Sequence, residues 1–166
     1  MIYKKILCTL FTITATAAAF AQTDSATTPS AIKTLTLKQY AELQNGPELR
    51  EMALPATMNG YPMPDDVLQF KKELKLTDLQ VKQITEISRY LKQKKVQAGQ
   101  SMILNEKKLD DLFSKHKIDE GTLNFYGNRY GLYQGEYRNA VLSACINTYN
   151  ALNPQQTTRF WKLKKP

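Results

Sequence analysis

One local signature occurs three times in this chain: Leu35-Thr36-Leu37-Lys38-Gln39, Leu76-Thr77-Asp78-Leu79-Gln80 and Leu152-Asn153-Pro154-Gln155-Gln156. Each is a Leu, a capping hydroxyl or amide, two spacers and a Gln. The spacing has a physical reason. A Thr or Asn at the N-cap accepts from an unpaired N–H of the first turn, and a Gln three residues on reaches back to the N-cap N–H. The preceding Leu fixes the entry angle as a hydrophobic staple, and Pro154 falls at the first helical position, where a missing N–H costs nothing. Three helix starts are therefore written into the sequence before any periodicity is considered.

The segments between these starts complete an all-α reading. Thr36 opens a short helix that Gly46-Pro47 ends, and Pro47 begins a short turn to Leu54. Asn59-Gly60-Tyr61-Pro62-Met63-Pro64 is a rigid turn, after which Asp65 caps a short helix carrying Val67, Leu68, Phe70 and Leu74. Thr77 opens the main helix, which runs to Ser114–Lys117 as a rod of roughly 55–60 Å. Its inward stripe is Ile84, Ile87, Leu91, Ala98, Met102, Leu109, Leu112 and Phe113. Asp119 caps a second long helix with the stripe Leu123, Tyr126, Tyr130, Tyr133, Tyr137, Val141, Ala144, Thr148 and Ala151. So short a connection, around His116 to Ile118, predicts a long antiparallel hairpin with short flanking helices. Asn153 starts a last helix with Phe160 and Trp161, and no segment alternates with a period of two.

The amino terminus reads as an address. Met1 to Lys5 is a positive n-region, Ile6 to Phe20 is uncharged and apolar, and Ala19-Phe20-Ala21 suits cleavage before Gln22. Residues 1–21 are therefore a predicted signal peptide, 22–34 a disordered Thr/Ser/Ala/Pro leader, and 35–166 a single helical domain. Cleavage takes 21 of 166 residues and leaves 145, and the net charge of +8 falls to +6 as Lys4 and Lys5 leave. The expected location is the periplasm, with no stable membrane insertion and, despite the basic balance, no nucleic-acid partner.

With the Leu-Thr-x-x-Gln signatures placed, the chain resembles the LTxxQ-motif periplasmic proteins, which include the Spy and CpxP stress proteins and periplasmic heavy-metal sensor and resistance proteins. The resemblance runs from about Leu35 to Phe160, and the Asn59-Gly60-Tyr61-Pro62 turn is similar to relatives on the metal side. The last motif departs in having Asn153 for Thr, which keeps the capping chemistry. The resemblance implies a cradle-like helical protein, often a homodimer, that works in the envelope without ATP. It leaves two alternatives, a chaperone for unfolded envelope proteins and a heavy-metal sensor or resistance protein.

The residues weigh on that choice. Copper, nickel or zinc would need converging imidazole, thiolate or thioether groups, and the mature chain offers His116, Cys145, Met52, Met58, Met63 and Met102. Met58 and Met63 flank the Pro-rich turn as a possible soft pair, and Cys145 reads as a small buried hydrophobe. The reading assigns no metal site, no cofactor and no catalytic residue, because Asp65-Asp66 and Asp119-Glu120 lie at helix starts and Asp110-Asp111 diverge on their helix. The chain is not read as an enzyme.

Gly127, Gly131 and Gly135 make a strip on the second long helix, each costing about 0.8–1 kcal/mol against Ala. The alternatives are a bent helix or a close contact with another helix, within the chain or in a second copy. On the outer face of the first long helix, Lys82, Arg89, Gln93, Gln100 and Lys107 project together, with Val96, Ile103 and Leu104 along the same region. Such a mixed basic and apolar face suits weak binding of unfolded chains. The predicted client-binding residues are Lys82, Arg89, Val96, Ile103, Leu104 and Lys107, and the predicted capping residues are Leu76, Thr77, Gln80, Leu152, Asn153 and Gln156.

Overall fold

The computed structural model describes residues 30–46 and 50–164. The predicted signal peptide and the leader up to residue 29 lie outside the described residues. Among those described are six α-helices and one 3-10 turn. The helices are α1 (Leu37–Gln44), α2 (Leu54–Thr57), α3 (Pro64–Gln69), α4 (Asp78–Ser114), α5 (Glu120–Ala151) and α6 (Pro154–Lys164), with the 3-10 turn at Arg50–Ala53. The chain is all-α, and the two long helices pack together.

The helix starts are local events, and they fall where the capping residues stand. Thr36, Thr77 and Asp119 each close a capping box, the last with Thr122. Asn153 does the same for α6: its Oδ1 accepts from Gln156 N at 2.8 Å, and its own N–H donates to Gln156 Oε1 at 3.0 Å. The third helix differs from expectation. Its cap is Met63 and Pro64 is the first helical residue, so Asp65 lies inside the first turn, where its charge meets the helix dipole.

The stops are equally local. His116, just past the end of α4, adopts a left-handed backbone with φ of +52°, as does Lys75, φ +50°, in the turn that precedes α4. After α4, Lys117 N–H reaches Leu112 O at 2.9 Å and His116 N–H reaches Phe113 O at 3.0 Å. That is the paired terminal bonding of a helix ending on one left-handed residue. The lone histidine thus forms the tight corner between α4 and α5.

From this corner α4 and α5 run back along each other. Asn105 Nδ2 donates to Tyr126 O at 3.0 Å, and at the far end Gln80 Nε2 donates to Ala151 O at 2.9 Å. Two apolar cores form where shorter elements cover the pair. One gathers Leu43, Ala53 and Ala56 onto Leu91, Met102, Val141 and Cys145. The other packs Val67, Leu74, Ile84 and Leu152 around Phe160.

Two packing expectations are corrected. Phe113 and Leu123, read as the ends of the inward stripes, are exposed, because they lie near the corner beyond both cores. Of the predicted leader only residues 30–34 are described; Ile32 among them is 3% exposed, and Ser30 N–H bonds Leu35 O at 2.9 Å. The intrachain alternative for the glycine strip also fails. Among the described residues, a Cβ added at Gly127, Gly131 or Gly135 would meet nothing within 4 Å, whereas one at Gly99 would lie 1.8 Å from Leu43 O. The close helix crossing in this fold is α1 over α4 at Gly99.

Candidate functional site

Two of the three signatures meet. Gln80 and Gln156 form a reciprocal amide pair: Gln80 Nε2 donates to Gln156 Oε1 at 2.8 Å, and Gln156 Nε2 donates to Gln80 Oε1 at 3.1 Å. Each oxygen also accepts its own N-cap N–H, from Thr77 and Asn153, at 3.0 Å. The remaining protons reach carbonyls of the partner's segment, Ala151 at 2.9 Å and Leu74 at 3.3 Å. Each motif thereby starts its own helix and clamps the other. Leu152 is buried in the second core and Leu76 packs against it, which completes the joint. The set is fully satisfied and holds no exposed reactive group, so its role is architectural.

The thiol and the Met63 thioether are also occupied. Cys145 is fully buried, and its Sγ lies 3.4 Å from Met63 Sδ. Burial first, and the negative charge of Asp66 second, push its pKa up to about 11, so the group is a neutral thiol at ordinary pH. Met58, the expected partner of Met63, stands 80% exposed. Among the described residues no group of three His, Cys, Asp or Glu side chains could hold a metal ion. Asp66 is buried as well, and sequence reading had assigned it only to a helix start. Lys164 holds its Oδ2, and Arg50 lies 3.9 Å from its Oδ1.

The predicted client-binding residues divide. Lys82, Arg89, Leu104 and Lys107 are exposed, and Val96 is half-buried. Ile103 turns the other way and packs against the first core, so it leaves the outer face. Arg89 is not a bare cation: its Nε and Nη2 hold Glu86 Oε2 at 2.9 and 2.6 Å. That contact lowers the Glu86 pKa and raises that of Arg89. Arg89, Val96, Gln93 and Gln100 border a shallow depression on α4.

Other exposed apolar groups were missed or wrongly placed. Tyr90 is 57% exposed on α4, which also carries the predicted Leu104, while Phe113, Leu123, Phe125 and Leu132 stand exposed around the corner and along the first half of α5. Phe125 carries Arg129 over its ring at 5.0 Å, and Arg129 also donates to Tyr133 Oη at 2.8 and 3.0 Å. This part of the α4–α5 pair carries exposed apolar groups and the exposed cations Lys107 and Lys117, while Lys115 is held by Asp111 at 2.6 Å. Among the described residues no helix is long and apolar enough to cross a membrane. No family model, curated protein or solved structure matches this chain.

Proposed function

We propose that this protein holds unfolded or partly folded envelope polypeptides without ATP, on the outer face of α4 and the start of α5. One observation carries the reading. From Tyr90 to Asn105, α4 contains Lys92, Lys94 and Lys95 and no acidic residue, while Tyr90 and Leu104 stand exposed on the same helix. A helix that only met water would gain nothing from exposed aromatic and branched side chains. Cations attract acidic segments from a distance, and loose apolar contact then retains them. The resemblance of the capping signatures to the LTxxQ periplasmic proteins, and the apolar segment 1–21 read as a secretory signal, support the same function. They also supply the periplasmic location and the homodimer included in this proposal.

The test is suppression of aggregation of several unrelated unfolding clients, followed by light scattering. Lys82, Arg89 and Lys107 changed together to Glu should slow client capture and weaken its salt dependence, with little loss of fold stability. Tyr90→Ser with Leu104→Ser should keep the salt dependence and shorten residence on the client. If both sets protect clients as well as the parent protein, this surface is not the binding site and the proposal fails.

A further inference from the structure

The two cores stop partway along the hairpin. Their buried members end at Met102 on α4 and begin at Tyr137 on α5, with Ile103, Tyr130 and Tyr133 at the edge of the first. From Leu104 through the corner to Leu132, Asn105 is the one buried residue among the described residues. It is polar. Its Nδ2 donates to Tyr126 O at 3.0 Å, and its buried Oδ1 has no hydrogen-bond partner among the described residues. Leu109, Leu112 and Tyr126 are half-buried, and Leu104, Phe113, Leu123, Phe125 and Leu132 stand exposed. The polar contacts of Lys115 and Arg129 stay within about a turn of their own helix, and Thr34 reaches Glu106 by an exposed bond of 3.4 Å.

The same part of α5 is a weak helix. Gly127 and Gly131 lie inside it, and a Cβ on either would meet nothing within 4 Å among the described residues. Each lowers the local helix equilibrium about four- to fivefold against Ala. A segment with little buried apolar surface and poor propensity opens before the rest of its fold. We propose that the distal part of the hairpin, residues 104–132, opens while the proximal part stays folded: α5 unwinds from the corner to about Leu132 and parts from α4. Opening returns Asn105 Oδ1 to water, where it regains a hydrogen bond, and frees Leu109, Leu112, Tyr126 and Tyr130. The open form presents these groups, beside the apolar ones already exposed, to an apolar stretch of an unfolded chain. The opening itself follows from packing alone, and its use rests on the client-holding reading above.

Amide hydrogen exchange, resolved by nuclear magnetic resonance, tests the opening. Amides of residues 124–132 should be less protected than those of 138–148 by about tenfold or more. Val141→Ala, in the first core, should lower protection at 138–148 and leave 124–132 unchanged. Gly127→Ala combined with Gly131→Ala should raise protection at 124–132 about 15- to 30-fold. Equal protection along α5, or a distal value that follows Val141→Ala, would overturn the opening. The probe for its use is reduced, carboxymethylated α-lactalbumin, a chain that stays unfolded. The doubly substituted protein should bind it about 15- to 30-fold more weakly, by the fall in the open fraction, with Lys82, Arg89 and Lys107 untouched. Undiminished affinity would overturn the role of opening in holding clients. A parent protein that binds no probe would sink the client reading and this use of the opening, whereas the exchange pattern is decided separately.

Discussion

Gly99 and Gly131 offer one substitution with opposite expected signs. Both lie inside long helices, so Ala at either position gains about 0.8–1 kcal/mol from helix propensity. At Gly131 the new methyl meets nothing within 4 Å among the described residues, and that gain should appear undiminished. At Gly99 it would lie 1.8 Å from Leu43 O and 2.8 Å from Leu43 C, both backbone atoms of α1. Ordinary contact needs a separation larger by about 1.5 Å. Side-chain rotation cannot supply that, so α1 must retreat. Overpacking of this kind costs about 1–3 kcal/mol, and uncovering part of Leu43 forfeits some of the roughly 1.5–3 kcal/mol its burial contributes. After the propensity gain, Gly99→Ala should lose about 1–3 kcal/mol.

Urea unfolding followed by far-ultraviolet circular dichroism reads both variants on one scale. Gly131→Ala should unfold at higher urea than the parent, and Gly99→Ala at lower urea. Amide exchange should also quicken in α1, since that helix is displaced. If Gly99→Ala is as stable as Gly131→Ala, the close crossing of α1 over α4 is wrong, and so is the packing built on it.

In the Gln80–Gln156 joint, Gln80→Ala and Gln156→Ala should each destabilise the fold, and a double-mutant cycle should return a coupling of about 0.5–3 kcal/mol; additive losses would mean that the amides do not act as a pair. For Cys145, the folded chain between about pH 9 and 11 keeps a proton that the unfolded chain releases. Stability should therefore fall by up to about 2–3 kcal/mol as pH rises through that window. The difference in urea midpoint between the parent and Cys145→Ala should change accordingly, and a pH-independent difference would refute the buried thiol. At the amino-terminal boundary, Ile32→Ser should cost about 1.5–3 kcal/mol. Equal melting temperatures for parent and Ile32→Ser would return the segment to a disordered leader.

Thr36, Thr77, Asp119 and Asn153 were legible as helix starts because a cap depends on residues three apart and on nothing else. The inward stripes were legible in their middles for a related reason. Ile84, Leu91 and Met102, like Tyr137, Val141 and Ala144, recur at helical spacing and lie where other elements cover them. Cys145 followed its neighbours into the core. The cap of α3 was misread because two acids follow Pro64, and an acid serves equally well inside a first turn as at its cap.

Periodicity says which side chains share a side of a helix, but not whether anything stands opposite. That is why Phe113 and Leu123 look like core residues in sequence and are exposed in space, while Ile103 looks external and packs inward. The glycines show the same division. Their cost to a helix is a property of the residue, but only the path of α1 makes Gly99 a crossing point and leaves Gly131 open. The signatures carry both kinds of information. Each Gln was assigned to its own N-cap by spacing alone, and folding brought Gln80 and Gln156 together across a separation of 76 residues. Local hydrogen bonds are encoded within a few residues, whereas partners across the chain exist only once the helices have packed.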